Sequence, residues 1–199
     1  VGEVLGLGGR ADELERFVER TIEDLQERTA DIPDANQARA YAGAVSYKGA
    51  HGLATTRKRF SPFAYTGVDN VASGVGTDSP SVQISEEQLL TWDPDVIFVD
   101  SNNRGRARAD LDSGTFDRLT AVSDGEVYTL LPHASYHHNY GSILANAYFV
   151  GTTLYPDRFS DIDLSETVDS IFETMLGAPL YEDLRDTYEA YSRLDDTDG

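Results

Sequence analysis

Residues 85–100, SEEQLLTWDPDVIFVD, set a short helix directly against a strand that is apolar at every position before its closing aspartate. A strand with alternating polar positions can keep one face in water. VIFV has no such face, so both of its sides must be covered by other elements. Ser85 and Gln88 have the spacing of a helix capping box, and Pro94 stops that helix near Trp92. Two more segments have strand character: ARAYAGAVS at 38–46, and EVYTLL at 126–131 behind the turn signal Asp124-Gly125. Helical patterns alternate with these strands. In residues 10–28, Leu14, Phe17, Val18, Thr21, Ile22 and Leu25 recur at three and four, forming one apolar stripe. VDNVASG (68–74) and residues 110–120 are expected to be helical, as are Ser142 to Tyr155, a segment capped by Asp163 and Glu166 and ended by Gly177, and a last helix from about Pro179 to Arg193. Strands alternating with helices predict an α/β fold: a Rossmann-like lobe with a mostly parallel central sheet flanked by helices, preceded by one long helix.

A chain of 199 residues can bury one such core. It carries no apolar run long enough to span a bilayer as a helix. Net charge is -19, from 35 acidic against 16 basic side chains, and Lys48 and Lys58 are the only lysines. Phosphate recognition needs a basic stripe, so nucleic acid is not an expected partner. A polyacidic surface poor in lysine is what hydrated carboxylates in concentrated salt require, and it points to a halophile. There is no cysteine, which excludes disulfides, thiolate metal sites and thiol nucleophiles.

In open parallel sheets, ligands bind beyond the carboxyl ends of the strands. Three loops are expected there: SYKGAHG (46–52), SNNRGR (101–106) and PHASYHHNY (132–140). The third opens a stretch, residues 131–149, that holds no Asp or Glu although the chain is rich in both. A loop that escapes the global acidic bias is expected to face something other than bulk solvent. Tyr47, Lys48 and His51 in the first loop suit an anionic chelate, with a cation, a stacking face and hydrogen-bonding groups, or else form a solvated loop. Arg57, Lys58 and Arg59 are the one basic cluster, which either attracts an anionic ligand or pairs with the acidic surface. His133 and His137 are four apart, a spacing that suits zinc on a helix. Pro132, Gly141 and the lack of a nearby carboxylate argue against a dedicated site, and no metal ligands are assigned.

The motif ISEEQLLTWDPDVIFVD resembles the class III substrate-binding proteins of ABC importers, which carry cobalamin, haem or ferric siderophores. Ser85, Glu87, Gln88, Pro94 and Asp95 match that family's helix start and following strand. The order of a long helix, a linker, a strand with a glycine-bearing loop, VDNVASG, and later GEVYTLLP with an aromatic loop and long helix, agrees over nearly the whole chain. The resemblance implies two lobes joined by one helix. Residues 1–37 would be the interlobe connecting helix and linker, residues 38–199 the C-terminal lobe, and the N-terminal lobe would lie outside this sequence.

It further implies a cleft whose wall here includes Tyr47, Lys48, His51, Asn102, Tyr136, His137, His138 and Tyr140. Of the third loop, Tyr136, His138 and Tyr140 are favoured over His133. Glu87 would dock on an arginine of the permease membrane subunit, although a carboxylate in a first helical turn is also favoured by the helix dipole alone. The expected partners are a small-molecule metal complex, the permease subunits and the missing lobe, in a monomeric protein held outside the cell by a lipid anchor on the N-terminal part. There is no catalytic assignment and no intrinsic cofactor; the cargo would be a ferric chelate, haem or cobalamin. Two other classes compete: an enzyme using the Tyr/His loops as acid and base, against which no nucleophile elbow, phosphate loop or metalloprotease motif is found, and a haloarchaeal surface interaction domain.

Overall fold

The computed structural model describes residues 8–46, 51–76, 79–132 and 138–197. The elements in chain order are α1 (Gly8–Glu27), β1 (Arg39–Gly43), β2 (Thr55–Thr56), α2 (Ser61–Tyr65), β3 (Asp69–Asn70), β4 (Val82–Gln83), α3 (Glu86–Trp92), β5 (Val96–Asp100), α4 (Arg104–Asp112), α5 (Thr120–Ser123), β6 (Val127–Leu130), α6 (Tyr140–Leu154), α7 (Leu164–Leu176) and α8 (Tyr181–Tyr188). Four strands form a sheet in the order β3-β1-β5-β6, every pair parallel. β2 and β4 form a small antiparallel ribbon beside it.

The strands are buried on both sides, as VIFV requires, and their residues divide by alternation. Tyr41, Ile97, Val99 and Val127 pack with Leu89 of α3, Ala107 of α4 and Ala121 of α5. Ala40, Ala42, Val96, Phe98 and Leu130 pack with Phe63 of α2 and with Phe149 and Val150 of α6. α6 then lies between the sheet and a further layer. Leu144, Ala147 and Tyr148 meet Leu25 of α1 and Ile171 of α7. That double covering is why α6 is buried at every position from Gly141 to Gly151. At Gly151 an added Cβ would lie 2.4 Å from Phe159 Cζ, so only hydrogen fits there.

α1 is pinned to this body near its carboxyl end. Arg28, just after the helix, forms a fork with both carboxylate oxygens of Asp161 at 2.6 and 2.9 Å, and its Nε donates to Asp24 at 3.0 Å. The Tyr148 hydroxyl donates to the same Asp24 at 2.7 Å, so α1, α6 and the α6–α7 loop share one polar network. The paired carboxylates hold the guanidinium pKa above its ordinary value.

Local patterning misled in five places. VDNVASG is not a helix: Asp69 and Asn70 pair with Arg39 and Ala40 at the open edge of the sheet, and Asn70 Oδ1 then accepts from the Ala72 N–H at 3.0 Å, closing a turn. The helix expected at 110–120 lies earlier. Asp100 caps a 3-10 turn at Ser101–Asn103, accepting from Asn102 N at 3.0 Å, α4 continues from it, and Gly114 at φ +78° follows its end. SNNRGR is therefore a helix start and not an open loop. α6 begins at Tyr140, two residues before the expected start, because Asn139 caps it through Ser142 N at 3.2 Å. The last helix stops at Tyr188. Glu189 and Tyr191 take left-handed φ values of +47° and +61°, and the chain returns onto β6 through Tyr191 N to Thr129 O and Thr129 N to Ser192 O. A five-residue helix, α2, stands where only a loop was expected.

Candidate binding site at the carboxyl edge of the sheet

β1, β3, β5 and β6 all deliver their carboxyl ends to one edge of the sheet, at Gly43, Asn70, Asp100 and Leu130. Two charged side chains are buried there. Asp100 is 5% exposed and Arg57 6% exposed. Loss of solvent raises the Asp100 carboxyl from 3.8 to about 6, against the opposing N–H groups of Asn102 and Ser46 and the positive charge of Arg57. Burial likewise lowers the Arg57 pKa, and the charge of Asp100 works in the other direction. The two charges attract, and for each the effect is smaller than that of its burial. Arg57 Nε also donates to Pro80 O at 2.8 Å. Asn103 ties the first strand's exit to α4, its Nδ2 donating to Ala44 O at 2.7 Å and to Ser46 Oγ at 3.0 Å. Ala44 itself holds φ +51°, a left-handed conformation rare outside glycine, at the turn out of β1.

At Arg57 opens a pocket of about 280 Å³ lined by Arg57, Arg59, Ser61, Ser79, Pro80 and His138. Its wall follows from the sequence RKRFS. In an extended segment, alternate side chains share a side, which brings Arg57, Arg59 and Ser61 together. Lys58 instead lines a neighbouring pocket of about 460 Å³ beside the edge strand β3, with Asp69, and this pocket shares Arg59 and Ser61. Asn70, buried at the end of β3, fixes the segment by donating from Nδ2 to the carbonyls of Arg57 and Lys58 at 3.2 and 3.1 Å.

The opposite side of the edge is fixed from α6. Asn146 has no exposed surface. Its Oδ1 accepts from Leu131 N at 3.0 Å and from the Tyr191 hydroxyl at 3.1 Å, and its Nδ2 donates to Leu131 O at 2.8 Å. The backbone leaving β6 toward His138 is thus held at a defined point.

With that edge described, a sequence profile decides the family: the profile of the periplasmic binding proteins matches residues 1–134, two thirds of the chain. The chain belongs to the periplasmic binding protein family. Members of this family are non-enzymatic components of transport. Solved binding proteins share the fold. A solute-binding protein of an ABC transporter from Sulfurospirillum deleyianum superposes with a TM-score of 0.74 at 22% identity, over 94% of this chain and 58% of that one. The molybdate-binding MolA of Haemophilus influenzae gives 0.70 at 22% identity, over 87% and 52%. The haem-binding HutB of Vibrio cholerae gives 0.57 at 16% identity, over 78% and 60%. This binding-protein chain therefore spans between half and three fifths of those structures. A comparison with curated proteins returned no match.

Several of the residues expected to face a ligand lie at this edge of the binding protein. His138 lines the arginine pocket. Asn102 is exposed on the turn after β5, its backbone N–H held by Asp100. Tyr140 is 51% exposed in the first turn of α6, so it belongs to the helix and not to the preceding loop. His51 is half-buried just ahead of β2. Tyr47, Lys48, His133, Tyr136 and His137 lie outside the described residues. Glu87 stands apart, exposed in the first turn of α3, behind Ser85, whose hydroxyl accepts from Gln88 N at 3.1 Å. Among the described residues no three His, Asp or Glu side chains are grouped to hold a metal ion. The carboxyl pair partner Asp100, the loop anchor Asn146 and the brace Asn103 were not singled out by their local sequence. A polar residue among apolar ones, as in ILANAYF, is the one signal that would have marked Asn146.

Proposed function

We propose that this chain forms the C-terminal lobe, with its connecting helix, of a two-lobed binding protein that captures a ferric siderophore, haem or cobalamin outside the cell and hands it to an ABC permease. The observation that carries this reading is the pocket at the carboxyl edge, which has two arginines, two hydroxyls and an imidazole in a chain of net charge -19. Charge placed against the global trend marks a surface shaped for a ligand. Tyr47, Lys48, Tyr136 and His137, which follow β1 and β6 in the sequence, are proposed to complete the wall with His51, Asn102, His138 and Tyr140. Residues 1–37 carry the connection to the other lobe, and residues 38–199 form the lobe itself. None of the described helices is long and apolar enough to cross a membrane, and a lipid anchor on the N-terminal part is proposed to hold the protein at the surface. The test is mass spectrometry of small molecules retained by the full-length protein purified from its host, paired with uptake of the identified compound in a deletion strain. A deletion strain that takes up the retained compound normally would overturn the reading.

Glu87 is proposed as a permease contact, in a monomeric protein. In the full-length protein, Glu87→Ala should leave ligand affinity unchanged and lower uptake several-fold, because the side chain is exposed on α3 and lines neither pocket at the carboxyl edge. Normal uptake would leave favourable interaction with the α3 dipole as its sole role. The acidic surface is proposed to serve a salt-rich setting. Screening among 35 carboxylates should raise the melting temperature between about 0.1 and 3 M salt, where the Debye length shrinks below side-chain spacing. A circular dichroism melt that does not move over that range would remove the halophile reading.

A further inference from the structure

We propose that Asp110 of α4 is a positioning residue for the cleft wall: its carboxylate fixes the backbone next to His51 and so sets where that imidazole stands. The inference rests on the cleft reading above, in which His51 belongs to the wall, and adds a residue outside the wall that controls it. The chain leaves β1 at Gly43, returns to the body at β2, and is gripped on its return at one residue. Leu53 N–H donates to Asp110 Oδ2 at 2.6 Å, and Leu53 O accepts from the Tyr41 hydroxyl at 2.9 Å. The peptide planes on both sides of Leu53 are therefore held, one from α4 and the other from β1. Leu53 has no exposed surface, so water does not stand in for either partner.

Gly52 shows that the fit is specific. Its φ is not left-handed, so the backbone itself does not demand glycine there. An added Cβ would instead collide with Asp110 Oδ2, so hydrogen is required at 52 because a carboxylate of α4 stands against it. Asp110 lies in the last turn of α4, where the helix dipole disfavours a carboxylate, and a charge-assisted bond to the Leu53 amide is what it gains in that place. The outgoing side of the same excursion is tied to the same stretch of chain, Ser46 N–H to Asp100 and the Ala44 carbonyl to Asn103. Residues 100–110 thus hold the chain both as it leaves β1 and as it returns. His51 is half-buried and one planar peptide from Gly52. Once Gly52 and Leu53 are fixed, few directions remain for its side chain, which lowers the cost of ordering it against a cargo.

The experiment is histidine-ring NMR of the full-length protein, with the His51 signal assigned through His51→Gln, together with amide exchange at Leu53. Asp110→Ala should speed Leu53 exchange about tenfold or more and shift or broaden the His51 signal. Asp110→Asn keeps an acceptor oxygen in place without the charge and should fall between. Gly52→Ala displaces the carboxylate and should reproduce Asp110→Ala, while adding it to Asp110→Ala should change nothing more. That double variant keeps the test sound if a single variant also melts lower. Unchanged Leu53 exchange, a His51 signal at its parent position in Asp110→Ala, or additive effects at 52 and 110 overturns the positioning role. Mass spectrometry of compound retained from the host after equal dialysis separates this from the cleft reading. Retention should fall severalfold in Asp110→Ala and recover in part in Asp110→Asn, and parent-level retention in Asp110→Ala overturns the role. A parent protein that retains no compound overturns the cleft reading, and the His51 signal then still decides whether Asp110 positions that side chain.

Discussion

Asn146→Leu should destabilise the protein by about 4 kcal/mol, from three partners left unmatched in a buried site at about 1–3 kcal/mol each. The side chain has no exposed surface and serves Leu131 N, Leu131 O and the Tyr191 hydroxyl at once. Leucine branches at the same carbon and is larger, so no cavity is left and overpacking adds to the cost. The polar part is the cost of leaving a backbone N–H, a backbone C=O and a phenol without water or protein to bond. The consequence extends to the binding edge, because Leu131 is where the chain leaves β6 for His138. Urea unfolding of the two proteins in the same salt measures the change. A cost below about 1 kcal/mol would mean that water replaces the amide, and that the β6 exit is not fixed from α6.

Asp100 should make stability fall as pH rises through the mildly acidic range. Its folded-state pKa of about 6 lies above its ordinary 3.8, so the folded protein holds this proton more tightly than the unfolded chain does. The stabilisation is fully present below pH 4, is lost as pH rises from about 4 to about 6, and is absent above. Two units at about 1.4 kcal/mol each give a loss of about 3 kcal/mol. The quantity to measure is the difference between the parent and Asp100→Asn, which isolates this carboxyl. The negative charge that Arg57 loses in the variant exists only where Asp100 is ionised, and its effect is already contained in the raised Asp100 pKa. Parallel stability curves for the two proteins between pH 4 and 7 would show that Asp100 is ionised at its ordinary pKa, and that water reaches it.

Burial works against the charged forms of both Asp100 and Arg57. Burial also fixes a guanidinium where a flexible surface side chain would sweep a volume. The same holds for Asn70, Asn103 and Asn146. Each is an uncharged amide buried at the carboxyl edge, and each grips backbone of a different strand exit. Loops held this way keep their donors aimed before a ligand arrives, which lowers the ordering cost of binding.

The sequence by itself determined the sheet and most of its covering. VIFV admits no wet face, so helices on both sides follow from four residues. The Ser85 cap, the Asp163 cap with Glu166, and Gly177 in the left-handed region at φ +87° all operate where their local patterns placed them. Such features are legible because a cap or an apolar stripe is a relation between residues a few positions apart. What the sequence could not determine were relations across the chain. Asp69 and Asn70 form a strand because β1 offered an open edge some thirty residues away, and no local pattern contains that edge. The reach of the last helix was set by Tyr191 and Ser192 bonding to Thr129 on β6. The arginine pocket combines Arg57, Arg59 and Ser61 with Ser79, Pro80 and His138. Parallel strands cross over and bring their carboxyl ends to one side, so the chemistry at that side is assembled from distant segments. Its members are decided by the sheet order β3-β1-β5-β6, which only the folded chain possesses.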